Sequence, residues 1–200
     1  MELIDVFNAQ GEFLEVATID DVHQKGLWHQ TVAYWLFNPI KKEVYLQLRG
    51  PKNRVGANTF DATAGGHLSA GETKEQGIRE VQEELGVLIQ NKDVYYFKRF
   101  LNQAVLGMYR NNEFCHIYLV NTLYSLWDFS PEKGEVANIF ALKIRDIPAF
   151  LRGSLVEICG KRETRQISIK EMCLSDKRIA NKYYESVLKE IQKRCEKGEN

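Results

Sequence analysis

The sequence predicts an α/β domain. Three observations predict it. Most of the chain reads as short β-forming runs, the apolar period turns helical once near residues 78–85, and an amphipathic helix closes the chain. Two hundred residues suit one domain with appended elements. Hydrophobic residues make up 44% and charged residues 27%, ordinary for a soluble globular protein. Lysine plus arginine balance aspartate plus glutamate at 27 each, so no overall field selects nucleic acid or a membrane surface. No run approaches the roughly 18 apolar residues of a membrane span. The opening MELIDVFNAQGEFLEV lacks the apolar stretch of a secretory signal. Cys115, Cys159, Cys173 and Cys195 show no CxxC spacing and read as reduced thiols of a cytoplasmic protein.

LIDVFN and FLEVAT are strand runs around the turn AQGE. A short helix comes next, with Thr18 or Asp20 as its cap before DDVHQKG. HQTVAYWLFN and EVYLQLR are β-forming and NPIKK between them is a turn, so they predict a hairpin. GPKNRVGAN is a polar, basic loop, and TFDATAGGHL reads as a strand running into a glycine turn. Ile78, Val81 and Leu85 then fall at i, i+3 and i+7, the stripe of a helix that Gly86 ends. Strands resume at DVYYFKRF and FCHIYLV, and again at VANIFALKI after the loop SLWDFSPEKGE. IRDIPAFLRG predicts a short helix after Arg145, and RQISIK a short strand. From Ser175 onward, Ile179, Tyr183, Val187, Leu188 and Ile191 mark a terminal helix whose charged tail frays. No repeat or linker divides the chain.

On the central helix Glu80, Glu83 and Glu84 occupy i, i+3 and i+4 and converge on one face. Like charges so placed cost roughly a few tenths of a kcal/mol per pair. A hard divalent cation, Mg²⁺ or Mn²⁺, reverses that sign. Taken alone, EVQEE is most often a solvated acidic face. The glycines before it change the reading. Gly65 and Gly66 let the backbone pass close to a ligand and aim a carbonyl at a metal. Arg79 reaches Glu83 or an earlier acid and fixes carboxylate orientation.

The stretch GGHLSAGETKEQGIREVQEELGV resembles the box of the Nudix hydrolases, G-x5-E-x7-R-E-U-x-E-E-x-G-U with U apolar. Gly66, Glu72, Arg79, Glu80, Val81, Glu83, Glu84, Gly86 and Val87 match it. The resemblance implies a Nudix fold, an α/β/α sandwich with a mixed sheet, over about 28–151. That leaves an N-terminal β extension (1–27) and a C-terminal extension with a helix (152–200). It implies metal-dependent hydrolysis of a diphosphate bond in a nucleoside diphosphate derivative or related small molecule, with Mg²⁺ or Mn²⁺. Glu80 and Glu84, then Glu83, would be the ligands beside Gly66. Glu135, in KGEVANI, holds the place of a further loop acid, with Glu132 as its competitor. One departure stands out. Between Glu72 and Arg79 lie six residues, TKEQGI, where the family pattern has seven. Thr73 and Gln76 are spaced as a capping box, which starts the helix at Lys74. The loss then falls at QGI or in the turn before it, and Glu72 is the residue whose place it affects.

KGLWH, WLFN, LQLR, AGGHLSAGE and NEFCHIYLV further resemble the subgroup that includes isopentenyl-diphosphate isomerase. That enzyme's metal site is rich in histidine. His29 and His67 fall at matching places, Glu113 at one of its carboxylates, and His23 near a third histidine in a shifted register. The isomerase needs a cysteine where Gly65 stands and a second carboxylate where Asn111 stands. The full REVQEE run is what the hydrolases keep. A hydrolase is therefore favoured over an isomerase, with a catalytically silent nucleotide-binding sensor as the third reading. The histidines read as structural. Arg49, Lys52 and Arg54 form a basic loop able to hold a diphosphate. Trp28, Tyr34 and Trp35 could stack a base, though AYWLF reads as core, and Cys115 reads as packing. The expected partner is a small diphosphate. The resemblance leaves a homodimer open.

Overall fold

The computed structural model describes residues 2–173 and 177–197, and the side chains of 177–181 lie outside the described residues. In chain order the elements are β1 (Leu3–Phe7), β2 (Phe13–Thr18), α1 (Ile19–Lys25), β3 (Trp28–Asn38), β4 (Glu43–Arg49), β5 (Phe60–Asp61), β6 (Ala64–His67), α2 (Arg79–Leu85), β7 (Val94–Leu106), β8 (Tyr109–Asn121), β9 (Val136–Lys143), α3 (Ile147–Leu151), β10 (Val156–Cys159), β11 (Thr164–Ile167) and α4 (Lys177–Lys197). The expected helix start at Ser175 and the side chain of Ile179 lie outside the described residues.

The strand β3 organises the sheet because both of its faces are apolar. Val32, Tyr34 and Leu36 point to one face, Ala33, Trp35 and Phe37 to the other. Val81 and Leu85 of α2 cover the first face. Ile147 and Phe150 of α3, with Tyr184, Val187, Leu188 and Ile191 of α4, cover the second. The result is an α/β/α sandwich around a mixed sheet. The strand β3 runs parallel to β8 and antiparallel to its other partners. Burying a side chain such as Leu85 contributes about 1.5–3 kcal/mol, so the two clusters dominate stability. A third, small cluster of Ile4, Val6 and Val22 seats the N-terminal hairpin and α1, which Thr18 caps by accepting from the Asp21 amide at 3.2 Å.

The expected hairpin of β3 and β4 holds only at its turn, through Phe37↔Val44 and Asn38↔Glu43. Beyond it the strands separate. β4 pairs with β9 and β5, while β6 takes the freed edge of β3 from Thr31 to Tyr34. This split in the sheet holds a cavity. β10 gives no signal in the sequence, because four residues with two inward side chains are too short to show a period.

Two expectations change near the cavity. Gly65 and Gly66 do not form a turn. They lie in β6, opposite Ala33 and Val32. A Cβ on Gly65 would sit 2.5 Å from the Val32 carbonyl oxygen, and one on Gly66 would sit 2.6 Å from the Glu80 carboxyl. Close approach, not reversal of the chain, requires glycine here. Nor does α2 begin at Lys74. The capping box forms, with the Thr73 amide donating to Gln76 Oε1 at 2.8 Å and the Gln76 amide to Thr73 Oγ1 at 3.3 Å. The chain then passes through a turn and a 3₁₀ segment at Gln76–Ile78, and α-helix starts at Arg79. The short spacer explains this. Three residues of 3₁₀ helix rotate by about 360° against about 300° in α-helix, recovering about 60° of the roughly 100° lost with one residue.

Candidate active site

The cavity of about 500 Å³ in the split is lined by Gly65, Gly66, Arg79, Glu80, Glu83 and Glu84. Arg49 and Glu135 share its wall, as do Glu2, Asp61 and Glu113. Glu84 is buried, and one of its oxygens accepts the Gly65 amide at 3.0 Å. Burial pushes the Glu84 carboxyl up to about 8 and the Glu80 carboxyl up to about 7. Glu83, at the same end of the helix, is the exposed member of the three.

Arg79 organises these acids. Its Nε donates to Glu72 Oε1 at 2.7 Å and its Nη2 to Glu72 Oε2 at 2.9 Å. Nη1 donates to Glu80 at 2.8 Å and to Glu83 at 2.9 Å, and Nη2 also to the His67 carbonyl at 3.2 Å. The fork is thus divided among three carboxylates. Burial alone would raise the Glu72 carboxyl, yet the hydrogen bonds from Arg79 and the Ser69 amide bring it below its ordinary value. The shortened spacer leaves Glu72 as an orienting partner of Arg79.

The loop before β9 is tied to α2. Ser130 N donates to the Leu85 carbonyl and Glu132 N to the Glu84 carbonyl, at 2.7 and 2.9 Å. Of the two competing loop acids, Glu135 lines the cavity, whereas Glu132 stands 4.0 Å from Lys52 outside the lining. The basic loop divides in the same way. Arg49 lines the cavity, held by Asp61 at 3.4 Å and by the Val55 carbonyl at 3.3 Å. Lys52 and Arg54 are exposed and absent from the lining, and Arg54 pairs instead with Asp20 of α1. Their ion-pair partners are remote in sequence, which is why the loop alone does not reveal their placement.

Tyr34 and Trp35 are core residues, as their run predicts, and Trp28 stacks on Phe114 with centroids 4.6 Å apart. Cys115 packs against the core and also reaches the cavity wall. Asp61, which the sequence does not single out, is half-buried beside Arg49, and desolvation raises its carboxyl despite that guanidinium. Its only sequence signal is an acid within the β-forming run TFDAT.

The histidines converge more than their sequence spacing suggests. His23, His29 and His67 place donor atoms within 4.8 Å of one another. His29 Nδ1 donates to the Leu27 carbonyl at 3.1 Å and His23 Nδ1 to the Arg110 carbonyl at 3.3 Å. The single lone pair on His23 Nε2 then faces two donors, Tyr109 Oη at 3.1 Å and His67 Nε2 at 3.2 Å, which share it. His29 Nε2 is buried with no hydrogen-bond partner among the described residues. The trio could hold a transition ion, yet two of the three rings are already joined through Nε2.

Residues 27–154 match the NUDIX domain family. An uncharacterized Nudix hydrolase of Clostridium acetobutylicum is 26% identical over 199 residues, covering 95% of this chain and 97% of that protein. Nudix hydrolase 3 of Arabidopsis thaliana is 32% identical over 156 residues, 75% of this chain and 20% of that protein. The crystal structure of DR0079 from Deinococcus radiodurans superposes with a TM-score of 0.56 at 20% identity, over 76% of this chain and 91% of that one, a likeness of fold. On the match to its central 27–154 region, the chain belongs to the Nudix family of diphosphohydrolases.

Proposed function

We propose that this chain is a metal-dependent hydrolase that cleaves a diphosphate bond in a nucleoside diphosphate derivative or related small molecule, with Mg²⁺ or Mn²⁺ as cofactor. One observation carries the reading: Glu80 and Glu84 are gathered under Gly65 and Gly66 in a cavity that Arg49 also lines. The residues suit a hard divalent cation. Their donors are carboxylate oxygens, the Glu80 carboxyl packs so closely on Gly66 that no Cβ fits between them, and burial holds the Glu80 and Glu84 carboxyls up despite Arg79, Arg49 and the Gly65 amide. Glu80, Glu84, Glu83 and the Gly66 carbonyl would hold it. Bound there, such a cation neutralises diphosphate charge and acidifies water.

The chain's own residues divide the remaining work. Arg49, braced by Asp61, holds a phosphate oxygen and lowers the cost of charge at phosphorus. Glu135 accepts the proton of the attacking water. The water oxygen bonds to phosphorus as the bridging P–O bond breaks in line, giving two phosphate-bearing products. Arg79 keeps Glu80 and Glu83 oriented. Lys52 and Arg54 take no part in this scheme. The four free cysteines suit a cytoplasmic setting, and no helix among the described residues is long and apolar enough to cross a membrane.

Screening a panel of diphosphates with Mg²⁺ and Mn²⁺ tests the proposal. Release of a phosphorylated product, abolished in a folded Glu84→Gln protein, is expected. Binding of a nucleotide without turnover of any panel member would favour the sensor reading instead. Isopentenyl diphosphate should not be isomerised.

A further inference from the structure

The cavity does not end at the acids of α2. It passes the free edge of β6 onto the sheet face formed by β3, β8 and β7. There Thr31, Cys115 and Phe100 stand side by side, with Glu113 and Asn102 in the next row. Thr31 lies one strand over and two residues along from Gly65, about 8 Å by strand spacing. Glu113 lies two strands over and four residues along, about 16 Å. The face therefore begins beside the Gly65 amide that donates to Glu84 and leads away from it. Phe100 and Tyr183, with ring centroids 5.0 Å apart, close it toward the core.

Unmet polar groups collect on this face. Thr31 is 6% exposed, yet its Oγ1 finds no partner among the described residues beyond the weakly bonding Cys115 thiol beside it. Asn111 Oδ1, two residues before Glu113 on the cavity wall, is buried and unpartnered as well. Glu113 Oε1 accepts from Asn102 Nδ2 at 2.5 Å, which leaves its second oxygen without a donor among the described residues. Tyr183 accepts from Trp35 Nε1 at 3.0 Å, and its own proton has no acceptor among them. Leaving such groups unmet is costly, so a ligand that meets them gains affinity. The set mixes acceptors with O–H donors. A cation would engage the acceptors and strand the Tyr183 proton. Hydroxyl groups, each a donor and an acceptor, satisfy both kinds. Phe100 adds an apolar wall on which the C–H face of a ring can rest.

We propose that this face is a sugar subsite, in which Thr31, Glu113 and Tyr183 bind the hydroxyls of a sugar that ends the substrate. The substrate class is then a nucleoside diphosphate joined to a sugar. This deepens the hydrolase reading of the same cavity and rests on it. The diphosphate lies at the acids and Arg49, and the sugar runs on along β3 and β8. These residues set which substrate binds, and the acids of α2 set whether it is cleaved.

The test uses the full chain with Mg²⁺ and three probes. ADP-ribose and ADP-glucose are compared with the n-pentyl ester of ADP, which keeps the diphosphate and lacks the terminal hydroxyls. Wild type should favour the two sugars in kcat/KM by about 10-fold or more, the scale of one hydrogen bond to a charged group. Glu113→Gln should cut that preference by about 10-fold and Thr31→Val by about 3-fold, through KM rather than kcat. Thr31→Ser, which keeps the hydroxyl, should retain it, and melting temperatures check that each variant folds. A preference left intact by Glu113→Gln and Thr31→Val, or a wild type that cleaves only substrates without a terminal sugar, overturns the subsite alone, provided Glu84→Gln is inactive. A fully active Glu84→Gln, or no cleavage of any diphosphate, would instead overturn the hydrolase reading and this proposal with it.

Discussion

Arg79 grips Glu72 through two hydrogen bonds, Nε to Oε1 at 2.7 Å and Nη2 to Oε2 at 2.9 Å, across a spacer of six residues. Glu72 also accepts the Ser69 amide at 2.8 Å, so the loop before the helix and the helix itself are locked to one carboxylate. The remaining guanidinium donors then set Glu80 and Glu83. A lysine carries the charge but not the planar fork. Arg79→Lys should lower turnover by about 10-fold or more while shifting the melting temperature only slightly. Steady-state kinetics beside a thermal melt measures both. Wild-type turnover in that variant would mean that the fork orients nothing the reaction needs.

Gly77 is where the shortened spacer meets the sheet. An added Cβ would lie 2.8 Å from Leu68 Cδ2 and 2.9 Å from Val32 Cγ1. Alanine raises helix propensity by up to about 1 kcal/mol, but overpacking costs about 1–3 kcal/mol. Gly77→Ala should therefore be destabilising, read as a lower denaturation midpoint. Inserting alanine between Gly77 and Ile78 restores the family's spacing yet should not raise activity. It would twist the capping box by about 100° relative to the acidic face. A large gain in turnover would show that the short spacer is a defect.

The acids and the arginine of the box are readable because their spacing is itself the chemistry: i, i+3 and i+4 on one helix dictate convergence. The two-sided core is readable from β3, whose apolar run admits no solvent face. The glycines mislead because a turn and a close approach both call for glycine, and only the register of β6 against β3 separates them. The histidine trio is hidden because its members come from α1, β3 and β6, which meet only through strand pairing. Likewise Lys52 and Arg54 look like free cations until Glu132 and Asp20 are brought to them.

The buried acids predict an unusual pH dependence for the metal-free protein. Burial pushes the Glu84 carboxyl up to about 8 from an ordinary 4.5, and the Glu80 carboxyl up to about 7. A raised carboxyl binds its proton more tightly folded than unfolded. Its stabilising contribution is complete below the unfolded value and is lost as pH rises through the folded one. Stability without divalent ions should thus fall between about pH 5 and 8 for wild type, and less steeply for Glu84→Gln. His23 and His67, held neutral by burial at about 4 and about 3, act in the opposite sense, losing stability as pH falls below their ordinary 6.5. The comparison is therefore cleanest above pH 6.5, by denaturation with a chelator present. Added Mg²⁺ should stabilise wild type most at the alkaline end, where the acids are ionised. Equal slopes for the two proteins would mean that Glu84 does not titrate as its burial implies.

The histidine trio gives the last prediction. His29 Nδ1 is tied to the Leu27 carbonyl, which leaves a lone pair on a buried, unpartnered Nε2. His23 and His67 satisfy each other through Nε2, with Tyr109 as a third member. Imidazoles favour transition ions, whereas the carboxylates of α2 favour Mg²⁺. If the reaction runs at Glu80 and Glu84, the histidines act as a brace between α1, β3 and β6. His29→Ala and His67→Ala should then leave the Mg²⁺ dependence of turnover nearly unchanged, while cavity and unpaired-group effects lower stability by about 1–3 kcal/mol. Elemental analysis of the purified protein is the decisive complement. A stoichiometric transition metal, lost from both variants together with activity, would move the chemistry to the histidines. That outcome would also give the orphaned His29 Nε2 a partner.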